Sequence, residues 1–143
     1  MAKKQQSDAS ASQREEDAEF LEAHREGLSR STQRAKWISS VDEHEDRPGQ
    51  TLATRAHDVI CRWAEERGAQ PATVASGEET GSPRVLRLNF PGFDEGGNLR
   101  EITWDEWFRP FDERQLVFLY QEHRANGEPS NFFRLDNPER EDA

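Results

Sequence analysis

Four histidines, His24, His44, His57 and His123, and one cysteine, Cys61, are the side chains here with the widest chemical range. No two histidines stand four apart, the spacing that puts two imidazoles on one helical face for a metal. His44 lies in the run Asp42-Glu43-His44-Glu45-Asp46. Those oxygens could hold a cation weakly, but the same composition makes a solvated acidic loop, and it is read as that. His57-Asp58 opens an expected helix, where an imidazole beside a carboxylate could be poised as a base. Asp58 is better placed to complement the helix dipole, and His57 is read as a surface residue. Cys61 follows Ile60 on the same helix and is read as an inert thiol, buried or half-buried. A lone cysteine leaves no intrachain disulfide and no thiolate metal site, which fits a reducing cytoplasm. No serine sits in a G-x-S-x-G elbow, and no glycine-rich phosphate loop precedes a helix. Gly92, Gly96 and Gly97 precede a strand-like stretch at 99–102 and read as a turn. The expectation is a chain with no catalytic residue, no cofactor and no metal site.

The aromatic residues are the other candidate chemistry. Trp104, Trp107, Phe108, Phe111, Phe118, Tyr120, Phe132 and Phe133 crowd into one short stretch. A glycan platform needs exposed coplanar rings, and a single-stranded nucleic-acid platform needs rings flanked by cations. These rings instead follow the burial periods of a helix and a hairpin, so they read as core. Tyr120 and Phe132 are the exceptions considered: as facing hairpin residues they could line a shallow groove at the sheet edge. With Phe20, Leu21 and Leu28 of a possible docking helix, they form the candidate partner or ligand surface.

The elements that would carry these side chains are uneven along the chain. The 143 residues hold 19 Lys+Arg against 29 Asp+Glu, net −10, with 32% hydrophobic and 34% charged residues. That charge repels phosphate backbones and anionic membranes, so nucleic acid and membrane are disfavoured as partners. There is no apolar run of membrane length and no signal-peptide pattern, and the expected location is cytoplasmic. Residues 1–50 carry few large apolar side chains and read as a polar, largely disordered tail, with a possible helix near 13–29 started by a Ser12/Glu15 capping box. Residues 42–50 read as a linker.

Residues 51–136 read as an α+β domain, and 137–143 as a frayed acidic terminus. Within the domain a helix begins near Arg55, buries the stripe Ala56, Val59, Ile60, Trp63 and Ala64, and stops at Gly68. Short strands are expected at 73–75 and 85–90. Thr103-Trp104-Asp105-Glu106 is a capping box, and Trp104, Trp107, Phe108 and Phe111 follow at i, i+3, i+4, i+7. Pro110 should bend or break that helix near Arg109. Residues 116–121 read as a strand buried on both faces, paired in a hairpin with 131–136 and receiving the aromatic stripe. The predicted fold is thus a small antiparallel sheet of about three strands packed against two helices.

Several blocks also carry a resemblance. His57-Asp58-Val59-Ile60, Trp63-Ala64-Glu65-Glu66-Arg67-Gly68, Pro71-Ala72-Thr73-Val74, Leu86-Arg87-Leu88-Asn89-Phe90-Pro91-Gly92, Glu101-Ile102-Thr103-Trp104-Asp105-Glu106-Trp107-Phe108, Leu116-Val117-Phe118-Leu119-Tyr120-Gln121-Glu122 and Asn131-Phe132-Phe133-Arg134-Leu135 stand in this order. In this the chain resembles a group of functionally uncharacterised small bacterial proteins, some labelled 1,4-alpha-glucan branching enzyme. The resemblance spans roughly residues 55–136, leaves out the N-terminal part, and is broken at Pro110. No catalytic motif comes with it. Branching needs two carboxylates about 5–5.5 Å apart and a long substrate cleft. Branching enzymes build that cleft on a barrel of about 250 residues, so the activity is not expected here. The leading expectation is a non-enzymatic cytoplasmic domain working through an unknown protein partner. The alternative is a glucan-associated binding module, as the resemblance implies, and the third is a nucleic-acid-associated factor.

Overall fold

The computed structural model describes residues 2–74, 85–92 and 99–138, with side chains from residue 12 onward. Along them run α1 (Ala2–His24), α2 (Arg30–Arg34), β1 (Lys36–Trp37), β2 (Leu52–Thr54), α3 (His57–Glu66), β3 (Gln70–Val74), β4 (Arg87–Asn89), β5 (Leu99–Glu101), α4 (Trp104–Glu113), β6 (Val117–Tyr120) and β7 (Phe133–Asp136). The strands form two sheets, in the orders β1-β2-β6-β7 and β4-β3-β5. All pairs are antiparallel except β1 with β2. The class is α+β, as expected, but with two small sheets instead of one. The chain divides into two units, Met1–Ile60 with Leu116–Ala143, and Cys61–Gln115.

In the first unit β6 lies between β2 and β7, and all four of its side chains are buried. This is the central strand that its unbroken apolar run predicts. Because strand side chains alternate, Val117 and Leu119 share one face with Ala53, and that face receives Phe20 and Leu28. Leu21, Ala35 and Trp37 close the edge of this cluster. On β6 and β7, Phe118 lies 5.5 Å from Tyr120 and stacks on Phe133 at 5.6 Å.

Residues 12–50 therefore pack within the first unit and are not a tail, so the folded region extends beyond 51–136. They bury Phe20, Leu28 and Ile38 and add a strand to the sheet. The expected helix near 13–29 is the second half of α1, which ends at His24. Composition misses this docking because much of it is polar and satisfied by hydrogen bonds. Asp17 is buried and accepts from Ser39 Oγ at 2.9 Å and Gln13 Nε2 at 2.9 Å. Thr32 Oγ1 donates to buried Asp136 at 2.6 Å, and Ser29 N donates to the same oxygen at 2.9 Å. Ser29 caps α2, which holds that geometry. The Arg55 guanidinium lies 4.3 Å over the Phe20 ring, while its Nε donates to Leu116 O.

The apolar stripe of α3 is buried as its spacing predicts, and the division between the units falls inside this helix. The helix starts at His57, two residues later than expected. Thr54 ends β2; its hydroxyl accepts from Ala56 N and donates to Ile38 O. In the second unit Gly68 ends α3 at φ +69°, a conformation that costs glycine little, with the Pro91 ring 3.0 Å from where a Cβ would stand. β3 is the central strand of its sheet, and β4 buries Leu88 while exposing Arg87. The expected loop at 76–83 lies outside the described residues, as does most of the turn at 92–98.

The capping box at Thr103 and Glu106 forms as predicted. The helix then runs through Pro110 to Glu113 without the break that was one of the two expected outcomes. One backbone hydrogen bond is lost to the proline. The face it shares with Trp107, Phe108 and Phe111 is buried, so packing holds the turn. Within its own unit α4 packs on β3.

Candidate functional site

The residues expected to form a partner surface are mostly structural. Phe20, Leu28 and Tyr120 are buried, and Leu21 is half-buried against the cluster that holds Phe20 and Leu28. The periodicity that suggests a docking helix is real, but the chain's own sheet is what it docks on. Phe132, at 44% exposure, is the one member that stands open to solvent. Tyr120 and Phe132 therefore do not share a groove wall.

Something else gathers in the first unit. Residues 42–50, read as a linker, form a loop between β1 and β2 that is fixed at many points. Lys36 Nζ donates to His44 O at 2.9 Å and to Asp46 Oδ1 at 2.8 Å. That bond and one from Gln50 hold the Asp46 carboxyl below the usual range. Ser39 N donates to Glu43 Oε1, and Arg14 pairs with Glu43 from α1. Gly49, at φ +89°, donates its N–H to His123 O at 2.8 Å and accepts from Gln121 Nε2. A Cβ there would stand 3.1 Å from Ala125 Cα, so the backbones approach as only glycine permits.

This anchoring brings His44-Glu45 against Glu122-His123, at the end of β6, and the two dipeptides pair crosswise. His44 Nδ1 lies 2.9 Å from Glu122 Oε2, and His123 Nδ1 lies 2.5 Å from Glu45 Oε2. The backbone N–H of Glu45 donates to Glu122 Oε1 at 3.2 Å. Glu45 and Glu122 are largely covered, with side chains 12% and 19% exposed, whereas His44 and His123 are open at 56% and 44%. Glu45 Oε1 is buried and has no hydrogen-bond partner. One donor atom each from Glu45, Glu122 and His123 lies within 4.8 Å of the others. The quartet joins imidazole nitrogen to carboxylate oxygen, a donor set suited to transition-metal dications.

Sequence reading takes His44 as loop and His123 as isolated. The only signal for their meeting is the reversed order, His-Glu in one segment and Glu-His in the other. The remaining candidates stay apart: His57 is exposed and Cys61 is half-buried. His24 packs its ring 4.5 Å from that of Phe20. Trp107 is buried with Nε1 donating to Arg87 O at 3.0 Å, and half-buried Trp104 stacks on Phe108 at 5.2 Å. Among the described residues no helix is long and apolar enough to cross a membrane. No family model, curated protein or solved structure matches the chain.

Proposed function

We propose that the chain is a non-catalytic cytoplasmic domain that works through contacts with a protein partner. What supports this reading is how the aromatic side chains are spent. A glucan platform needs two open indoles a sugar repeat apart. Here Trp107 is fully buried and half-buried Trp104 packs against Trp107 and Phe108, with ring centroids at 5.5 and 5.2 Å. Among the described residues Phe132 is the exposed aromatic, beside the edge strand β7. Exposed aromatics surrounded by polar residues are the side chains on which protein contacts concentrate. Net charge argues against the nucleic-acid alternative.

A photo-crosslinking residue at position 132, in the native cytoplasm, tests the reading. A discrete adduct to one protein is expected at 132 and not at exposed Arg62. Affinity electrophoresis through glucan gels should show no retardation. Retardation that Trp104→Ala removes would replace this reading with the glucan-binding one.

A further inference from the structure

We propose that Glu45, Glu122 and His123 bind a first-row transition-metal dication of the zinc class, with His44 positioning Glu122 from outside the coordination sphere. The proposal stands apart from the protein-contact reading, since it uses different residues of the first unit.

The donor set suits such an ion. Imidazole nitrogen and carboxylate oxygen both ligate zinc, at metal–ligand distances of about 2.0–2.2 Å. The three donor atoms here already lie within 4.8 Å of one another, so small side-chain rotations would close them on an ion. An imidazole ligand selects zinc-like ions over calcium and magnesium, which take oxygen.

One carboxylate oxygen of the cluster is left unpaired. Ordinary ion pairing accounts for Glu45 Oε2, which meets His123, but leaves Oε1 buried without a hydrogen bond. A covered carboxylate oxygen with no partner is costly, and native structures rarely leave one so. A cation beside the carboxylate would meet that need. Solvent reaches the site along His123, which gives an ion a way in and leaves room for water to complete its shell.

The cluster is also preorganised. The two segments are held in register by Gly49 N to His123 O and by Glu45 N to Glu122 Oε1. His44 bonds Glu122 Oε2, as the outer partners of ligating carboxylates do.

The test is calorimetric titration of the full-length, tag-free, chelator-stripped chain with zinc chloride. One ion per chain is expected, with Ca2+ and Mg2+ giving no saturable heat. Co2+ should give a visible d–d band that zinc abolishes. Glu45→Gln and His123→Ala should each weaken zinc binding about tenfold or more, and His57→Ala should leave it unchanged. His44→Ala should weaken it about tenfold, with partial rescue by His44→Gln, as for an outer-shell partner. Circular dichroism checks that each variant folds. If one does not, the imidazole resonances of the unmodified chain decide instead, since zinc should shift those of His123 and not those of His57. Lack of saturable zinc binding, equal binding by Glu45→Gln and His123→Ala, or saturation by Ca2+ or Mg2+ with equal affinity would each overturn the proposal.

Discussion

Asp17 is a carboxylate placed where a carboxylate is expensive. It is 5% exposed on α1, and burial pushes its carboxyl above the ordinary value of 3.8; hydrogen bonds from Gln13 and Ser39 and the charge of Arg55 only partly oppose this. A raised folded-state value means that the group's stabilising contribution is complete below 3.8 and is lost as pH rises through the raised value. Asp17→Asn should therefore equal or exceed the parent in stability at neutral pH and flatten the decline above 3.8, as read from urea melts at a series of pH values. Asp136 plays the opposite part. It is 2% exposed and accepts from both Ser29 N and Thr32 Oγ1, so Asp136→Ala strands two donors and should cost about 2–4 kcal/mol in the same melts. At Trp107 the loss is volume plus the bond to Arg87 O. Trp107→Ala should cost about 3–5 kcal/mol and leave its unit molten or unfolded, with near-ultraviolet circular dichroism collapsing. A change within about 0.5 kcal/mol would mark the stripe as surface.

At the scale of elements, α4 shows what local sequence can and cannot specify. Its start is written in four residues. Thr103 Oγ1 accepts from Glu106 N at 3.1 Å, and Glu106 Oε1 accepts from Thr103 N at 2.8 Å. The Thr103 backbone bond holds the Glu106 carboxyl below its usual range. That contribution is present above the ordinary glutamate value and fades as pH falls through the lowered one. Thr103→Ala should cost about 0.5–2 kcal/mol in thermal melts. The aromatic face was equally legible, since i, i+3, i+4, i+7 spacing needs no knowledge of the rest of the chain. The passage through Pro110 was not, because it depends on what the face packs against. β1 was invisible for a related reason: two residues, Lys36 and Trp37, become a strand only because Leu52 and Ala53 lie alongside. The same limit hid the quartet. His44 and His123 each look solitary along the sequence, and their meeting depends on the Gly49 contact and on the end of β6.

Over the whole molecule, the reading of residues 1–50 as a tail rested on counting large apolar side chains. That count overlooks Asp17, Thr32 and Ser39, which are buried polar residues. The amides of Ile38 and Lys36, donating to Ala53 O and Thr51 O, should exchange with solvent deuterium as slowly as those of β6; fast exchange there would restore the tail. The division into units has a further consequence, for the order of events during synthesis. The three strands of the second sheet all lie between residues 61 and 115, so that unit holds its whole sheet in one stretch. The first unit is different. Thr54 pairs with Phe118, and β7 comes later still. A ribosome thus delivers Phe20, Leu28 and Ala53 long before Val117 and Leu119, their partners in the core. Such distant pairing closes a long loop and slows folding. A chain arrested at residue 115 should be cut readily by protease between Arg14 and Arg55 while β3 and α4 resist. The growing polypeptide would carry an unpaired β2 edge until its last strands emerge, an interval in which a holding chaperone has a surface to grip.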